Sequence, residues 1–322
     1  PRVAMSLDLT PHATVVADAR RVAAATGLPH HVTTIAEAVG SDITNVVRSC
    51  VETEKFGAAA QLFSTYLGNE TCVAVSEYTR EIIIRAAAEI DDQHGTHFAP
   101  QCAERIGISY PAIDAGQYID LDDGDIARAL TSRGLERDRY VLFLSRLSKA
   151  KGVDDLIAGF SRSHSRNHVK LVVAGNGPEA VALRAHAASS PSASNIVFLD
   201  DVDDAEKPLL MAGSAAFALP SKPRPEFVET FGIALVEKML AGGGPIITCQ
   251  TGGIPEAVGS NALMVPHSSP QKMAEAIDLA VGGMSDAELR TREAAARSYA
   301  MRFDRTNVFD CLFSGLTDSI AA

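Results

Sequence analysis

The sequence predicts an α/β protein of about two domains, each built on a parallel sheet. Its 322 residues exceed what a single hydrophobic core usually fills. Through the second half, apolar β-branched runs alternate at short spacing with amphipathic stretches of helical period. The predicted strands are apolar along their whole length, which is typical of a parallel sheet covered by helices on both faces.

The amino-acid composition excludes several classes of protein. Hydrophobic residues make up 46% and charged residues 21% of the chain, which excludes a disordered, collagen-like or coiled-coil protein. No apolar run reaches the ~18 residues needed to cross a bilayer, so we expect no integral membrane segment. Five scattered cysteines without a Cys-x-x-Cys pair favour a reduced, cytoplasmic compartment. A net charge of −11 is the wrong sign for nucleic acid and would attract cations.

The first half carries a sparser pattern. Strands are predicted at residues 31–35 and 71–75, and helices at 11–26, 55–67, 77–90 and 126–132. Ser76 is a natural N-cap for the third of these helices, and the acidic run 120–125 precedes the fourth. We place the domain boundary near residues 134–139.

The second half predicts a regular series. Six strands are expected at residues 140–144, 169–174, 195–199, 215–219, 245–249 and 262–265. Helices are expected at 153–160, 178–188, 205–212, 231–240, 255–258, 269–281, 286–301 and 306–320. Ligands of parallel sheets bind at the carboxyl ends of the strands, so the functional residues should lie in the loops there.

One of these loops carries charges suited to a phosphorylated ligand, and a second is a glycine turn. Arg146 and Lys151 follow the strand 140–144 and lead through Gly152 into a helix, and cations beside a helix amino end suit a phosphate group. A solvated lysine turn is the alternative. After the strand 169–174, Gly175 opens a glycine turn that ends at Pro178, the first residue of the next helix.

Glu229 and Glu237 form the third candidate group. Thr230 is a plausible N-cap, which would put Glu229 just outside a helix and Glu237 two turns within it. Eight residues of helix bring the two directions within roughly 80°, so both could border one cleft. Carboxylates accept hydrogen bonds from sugar hydroxyls and from a ribose diol. Two solvated helix glutamates would look the same in sequence.

The joint order of these loops resembles the retaining glycosyltransferases of family 4, which have the GT-B architecture. The resemblance is strongest over residues 140–265, and its motifs are Arg146-Leu147 to Lys151-Gly152, Gly175-Asn176-Gly177-Pro178, Pro220-Ser221, Glu229-Thr230-Phe231-Gly232 with Glu237, and Gly252-Gly253-Ile254-Pro255-Glu256. It implies two Rossmann-like domains with parallel sheets facing a cleft. Residues 1–134 would form the acceptor-side domain and 135–303 the nucleotide-sugar domain, with 304–322 packing back on the first.

The resemblance also implies roles for single residues. Arg146 and Lys151 would clamp the diphosphate of the donor, Glu229 would hold hydroxyls of its sugar, and Glu237 its ribose. Backbone N–H groups near Phe231 and Gly232 would contact the sugar or phosphate, Gly175 would line the donor site, and the loop 200–202 with Val202 would seat the base. Such enzymes are thought to retain the anomeric configuration by front-side attack. No side-chain base is then required. We also expect no metal and no cofactor, the nucleotide-sugar being a substrate.

Three departures from the family pattern stand out. The opening strand with its glycine-rich loop is not recognisable, so residues 1–35 are interpreted as the middle of the first domain, with upstream residues absent or the domain reduced. A family His is replaced by Ile35, with His30 or His31 as substitutes. The stretch 222–228 is longer than usual. Residues 227–253 also resemble glycosyltransferases of aminoglycoside antibiotic assembly, which implies a UDP-sugar donor and a small, hydroxylated, cationic acceptor.

Two other functions remain open on the sequence. Gly175-x-Gly177-x-x-Ala180, with Asp200 about twenty residues on, imitates the fingerprint of an NAD(P)-dependent oxidoreductase. A non-catalytic nucleotide-sugar-binding protein would carry the same donor loops as an enzyme. Oligomeric state has no signal in the sequence.

Overall fold

Parallel sheets organise both units of the chain. The computed structural model describes residues 3–7, 12–29, 31–40, 46–53, 55–225 and 227–320, with side chains described as far as Ser314. The chain divides into a first unit, Pro1–Pro111, and a second unit, Ala112–Ala322. Every strand pair in both sheets is parallel, which confirms the predicted α/β class with two parallel sheets.

The first unit has a four-stranded sheet in the order β1-β2-β3-β4. The strands are β1 (Val3–Ser6), β2 (Thr33–Ala38), β3 (Thr71–Ala74) and β4 (Ile106–Ile108). The helices are α1 (Thr14–Ala25), α2 (Arg48–Thr53), α3 (Phe56–Leu67), α4 (Glu77–His94) and α5 (Phe98–Arg105). Ser76 caps α4 by accepting from the Thr79 N–H, as predicted, and Phe63 and Tyr66 of α3 are fully buried in the core.

The opening of the first unit corrects one expectation. A strand was not expected there, yet β1 pairs in register with β2 over Val3–Ser6. The run is only four residues long and ends in the polar Ser6, so it lacks the continuous apolar signal of a central strand. The predicted helix start at Pro11 and the substitute His30 lie outside the described residues.

The second unit has a six-stranded sheet in the order β10-β9-β8-β5-β6-β7. Its strands are β5 (Tyr140–Leu144), β6 (Lys170–Ala174), β7 (Ile196–Leu199), β8 (Ala216–Leu219), β9 (Ile246–Cys249) and β10 (Ala262–Val265). Its helices are α6 (Asp123–Ser132), α7 (Val153–Phe160), α8 (Ala180–Ala188), α9 (Glu206–Ala212), α10 (Ile233–Ala241), α11 (Ile254–Val258), α12 (Pro270–Gly282), α13 (Asp286–Ala300) and α14 (Arg305–Ile320). Each predicted strand is present within a residue or so, because the strands are apolar over most of their length.

The division between the units falls earlier than the sequence indicated. It lies between Pro111 and Ala112 rather than near residue 134, so α6 belongs to the second unit. Arg133, just after α6, is tied to that unit by a bidentate pair with Glu206 at the start of α9, at 2.6 and 2.7 Å. The same division assigns α14 to the second unit. Its packing on the first domain stays a prediction.

The order of the second sheet fixes where a site can form. From the central strand β5 the chain adds β6 and β7 on one side, then crosses to β8 on the other. The loops after β5 and β8 therefore leave the sheet side by side and in opposite directions. Such a switch point, at the carboxyl ends of the strands, is where doubly wound sheets bind their ligands.

Candidate functional site

The loops after β5 and β8 are in direct backbone contact at the switch point. Gly152 has a φ of 69°, and a Cβ built on it would lie 2.1 Å from the carbonyl oxygen of Pro220. A residue with a side chain is excluded on both grounds. The Lys222 N–H also donates to the Ala150 carbonyl at 2.8 Å. This close approach brings the predicted cation loop against the predicted acid loop.

An ion pair joins the two loops. Lys151 Nζ contacts Glu229 Oε2, and the two side chains are only 13% and 11% exposed. Ser221 Oγ is 3.3 Å from the same Glu229 oxygen. Two residues 78 positions apart in sequence therefore meet at the carboxyl end of the sheet.

The ring of Phe227 covers the lysine of this pair. Lys151 Nζ lies 5.1 Å from the ring centroid, a cation–π contact, while Phe227 itself stays 41% exposed. Arg224 and Phe227 exchange backbone hydrogen bonds of 2.9 and 3.1 Å. The long stretch 222–228 thus places an aromatic face beside the candidate phosphate-binding cation.

The chain around Glu229 differs from the expected helix start. Helix α10 begins at Ile233, and its N-cap is Gly232 with a φ of 103° and no side-chain cap. The prediction that Thr230 caps this helix is wrong. Gly232, two residues after Thr230, has a positive φ that is not helical, so the helix can begin only after it. The angular argument over eight helical residues fails with it. Glu229 is held instead by its own carbonyl, which accepts from the Gly253 N–H at 2.9 Å.

Glu237 has a separate set of partners on α10. Its Oε1 accepts from the Tyr118 hydroxyl at 2.6 Å and from Lys207 Nζ at 2.8 Å. The pKa of Tyr118 is raised well above its usual range, mainly by burial and further by the hydrogen bond to Glu237 and the charge of that carboxylate. The phenol therefore remains protonated and acts as a donor. The two glutamates are therefore paired with different cations, Glu229 with Lys151 and Glu237 with Lys207.

The remaining predicted residues occupy varied positions. Arg146 follows β5 and is exposed, and it forms no ion pair with the residues that the structure describes. Val202 is half-buried in the loop between β7 and α9. Phe231 is buried, its ring 5.0 Å from that of Phe303 in an edge-to-face contact, so its side chain serves the core. Gly232 is the N-cap of α10, and its carbonyl accepts from the Leu235 N–H at 2.9 Å.

Gly175 packs against the cation loop. Its φ is 128°, and a Cβ there would lie 2.1 Å from the Ser145 carbonyl oxygen. Leu147 N–H donates to the Asn176 carbonyl at 2.8 Å, which fastens the two loops together. The glycine turn is therefore filled by the neighbouring loop.

The same geometry weakens the dinucleotide alternative. That interpretation needs the turn at Gly175 to receive a pyrophosphate and Asp200 to accept from a ribose. Asp200 instead forms an ion pair with Arg184 at 2.5 Å, and Asp201 pairs with Arg133 at 2.8 Å.

Sequence reasoning missed several residues of the site. Tyr118 and Lys207 carry no motif, and Tyr118 lies 119 positions from its partner Glu237. Lys222, a further cation of the β8 loop, is buried against Asp154 at 2.8 Å and Asp155 at 3.0 Å, so its charge is already matched. Only the unusual length of the stretch 222–228 drew attention to Phe227.

Two curated proteins are similar in sequence to this chain. A protein from Mycobacterium tuberculosis (strain CDC 1551 / Oshkosh), a GDP-mannose-dependent alpha-(1-6)-phosphatidylinositol monomannoside mannosyltransferase, is 32% identical over 214 residues, or 65% of this chain and 52% of that protein. N-acetyl-alpha-D-glucosaminyl L-malate synthase from Bacillus anthracis is 24% identical over 67% of this chain and 56% of its own. The chain spans about half the length of the curated relatives it matches.

Solved structures share the fold. HepE from Anabaena, in complex with UDP and glucose, superposes with a TM-score of 0.72 at 20% identity, covering 98% of this chain and 78% of that one. The UDP-forming alpha,alpha-trehalose-phosphate synthase from Burkholderia xenovorans, in complex with glucose-6-phosphate, superposes with a TM-score of 0.70 at 12% identity, covering 92% and 70%. The architecture is that of the GT-B glycosyltransferases.

The two parallel sheets and the likeness to these structures define a protein of the GT-B class. Residues 130–297 match the family described as "Glycosyl transferases group 1". The chain belongs to this family. Among the described residues, no helix has the length and apolarity needed to traverse a bilayer.

Proposed function

We propose that the chain is a retaining glycosyltransferase of family 4 that moves a sugar from a UDP-sugar to a hydroxyl of a small acceptor, an aminocyclitol or aminoglycoside. The observation that carries the proposal is the Lys151–Glu229 pair at the switch point of a nucleotide-binding type of sheet. The pair joins a cation suited to a diphosphate with a carboxylate suited to sugar hydroxyls, the two ends of a nucleotide-sugar.

The chemistry follows from where charge develops. The bond between the anomeric carbon and the phosphate oxygen breaks, and negative charge grows on the departing diphosphate. Lys151, with Arg146 from the same loop, stabilises that charge, and the amino end of α10, which has no side-chain cap, adds to the positive potential. The acceptor oxygen attacks the same face of the sugar, and its proton passes to the departing phosphate oxygen. No side-chain base is required on this route.

The proposed donor nucleotide is UDP. The mycobacterial relative is named for GDP-mannose, and HepE for its complex with UDP. UDP is favoured here through the likeness of residues 227–253 to aminoglycoside glycosyltransferases. The acceptor rests on that likeness and on charge, because a protein with a net charge of −11 attracts polyamine-like molecules.

Thermal-shift measurement with UDP, GDP, ADP and TDP tests the donor site. A ligand at a hundredfold its dissociation constant adds about 2.7 kcal/mol to stability, which raises the melting temperature of a unit this size by roughly 5–10 °C. A shift with UDP alone supports the UDP-sugar assignment. A shift only with GDP moves the proposal to GDP-sugars, and no shift with any of the four overturns it.

Transfer assays separate an enzyme from a non-catalytic binder. The protein is incubated with UDP-glucose or UDP-N-acetylglucosamine and a 2-deoxystreptamine acceptor, and product is followed by mass spectrometry. Lys151→Met should lower turnover by about 10²–10³-fold, the usual effect of removing one charge-stabilising group. Lys149→Met is the matched control, because that lysine lies two residues away, is exposed and has no described partner. Nucleotide binding without any transfer would favour the binding protein.

A further inference from the structure

Tyr118 and Lys207 converge on a single carboxylate oxygen. Both donate to Oε1 of Glu237, at 2.6 and 2.8 Å, and Lys207 Nζ also lies 5.5 Å from the centroid of the Tyr118 ring. The Glu237 and Lys207 side chains are 12% and 19% exposed, and Tyr118 is almost fully buried. The three groups form one packed cluster within the second unit, and none of them forms an ion pair with Lys151 or Glu229.

The other oxygen of Glu237 is left open. Each carboxylate oxygen has two lone-pair sites, so two donors at Oε1 occupy that atom completely. Oε2 accepts no hydrogen bond from any residue that the structure describes. A vicinal diol brings two O–H donors, which matches the two open sites of Oε2.

The segment that carries Tyr118 is itself firmly held. Ile113 donates to the Phe303 carbonyl at 2.9 Å and accepts from the Arg305 N–H at 2.8 Å. Two residues on, the Ala115 N–H donates to Asp304 Oδ1 at 3.2 Å. A phenol on such a braced segment has little freedom, so its position can define that of Glu237.

We propose that Tyr118 and Lys207 are positioning residues, which fix Oε1 of Glu237 so that Oε2 faces the ribose diol of the donor nucleotide. The inference rests on the proposed function, in which Glu237 binds ribose. Without the two donors, a glutamate with three rotatable bonds must be ordered by the ligand itself, which weakens binding. The effect should fall on recognition of the ribose hydroxyls and spare the phosphate contacts.

The test compares two ligands on several variants. Calorimetry measures the dissociation constants of UDP and of 2′,3′-dideoxy-UDP, with GDP and its dideoxy form as a second pair. Wild type should bind the ribose form more tightly. Tyr118→Phe should weaken UDP by about 10-fold, the loss expected for one hydrogen bond to a charged group, and leave dideoxy-UDP unchanged. Lys207→Met should act in the same direction, and Lys207→Arg should restore part of the discrimination.

Two controls separate positioning from stability. Tyr140→Phe removes another buried phenol of the second unit, whose hydroxyl donates to the Leu210 carbonyl at 2.5 Å, and it should leave the ratio of the two dissociation constants unchanged. In a Glu237→Gln background, Tyr118→Phe should add little, because the group it positions is already altered.

The outcomes distinguish the inference from the function it rests on. If wild type binds none of the four ligands, the proposed function fails and the inference fails with it. If wild type discriminates ribose from dideoxyribose and Tyr118→Phe keeps the full discrimination, only the positioning role is overturned. Equal weakening of both ligands by Tyr118→Phe would also overturn it, since that is the signature of general destabilisation.

Discussion

Breaking the Lys151–Glu229 pair should lower both the free energy of unfolding and the rate of sugar transfer, and the two effects can be measured separately. An exposed ion pair contributes about 0–1 kcal/mol, and removal of one partner of a fully buried pair costs about 3–5 kcal/mol. The side chains here are 13% and 11% exposed, close to the buried limit. We therefore expect Lys151→Met or Glu229→Gln to lower the free energy of unfolding by about 2–3 kcal/mol. For a unit of this size the melting temperature should fall by roughly 4–12 °C.

The double variant gives the decisive comparison. Lys151→Met combined with Glu229→Gln leaves no unmatched charge, and the remaining amide can still bond to Ser221. Its stability loss should be smaller than the sum of the single losses by about 1–3 kcal/mol. Activity should behave differently, because both side chains contact the donor in the proposed mechanism, and the double variant should be no more active than either single one.

The assay is thermal unfolding of all four proteins by circular dichroism, with transfer rates measured on the same samples. Lys149→Met serves again as the control and should shift neither quantity. Additive melting-temperature losses would refute the reasoning, since they would show that the two charges do not stabilise each other. Recovery of transfer in the double variant would refute the catalytic part alone.

Three further predictions concern single positions. Gly152→Ala should lower the melting temperature and abolish transfer, because its Cβ would lie 2.1 Å from the Pro220 carbonyl at a φ of 69°; an unfolding scan checks this, and an unchanged melting point would contradict it. Phe227→Leu should raise KM for the donor about 3- to 10-fold by removing the cation–π contact with Lys151, measured by steady-state kinetics, while an unchanged KM would dismiss that contact. Burial lowers the pKa of Lys238 to about 7. A lysine in the unfolded chain has a pKa of ~10.4. Between pH 7 and that value the unfolded chain therefore binds one more proton than the folded chain, and the free energy of unfolding rises with pH. Lys238→Met should lose this rise, seen as the difference between urea unfolding curves at pH 7 and pH 9, and parallel curves would refute it.

The strands of the second sheet could be predicted because their residues are almost all apolar. β5 and β10 have the predicted bounds, since both runs are apolar at every position, although β10 lies at the edge of the sheet and leaves Met264 exposed. β4 was missed because it contains Gly107 and spans three residues, and only its pairing with β3 makes it a strand. The sequence signal fades where a strand is short and the pairing partner, rather than the side chains, decides the structure.

The site was predictable to the same extent. Cations and acids at the ends of adjacent strands could be expected to meet, and Lys151 and Glu229 do. The start of α10 could not be predicted correctly, because Thr230 has the preferred chemistry of a cap and the positive φ at Gly232 is visible only in three dimensions. Tyr118 could not be predicted at all, since no local pattern links it to an acid 119 residues away.

Because Glu229 and Glu237 have different partners, they would respond differently to a bound donor. Lys151 already has a carboxylate partner, so a diphosphate must share or displace that contact, and Glu229 would then keep Ser221 alone. Hydroxyls of the donor sugar can replace the hydrogen bond that Glu229 gives up, which a free diphosphate cannot do. Glu237 faces no such exchange, because Tyr118 and Lys207 occupy the oxygen opposite the open one. Under the proposed function the ribose subsite is therefore preformed, whereas the phosphate and sugar subsites are coupled through one ion pair.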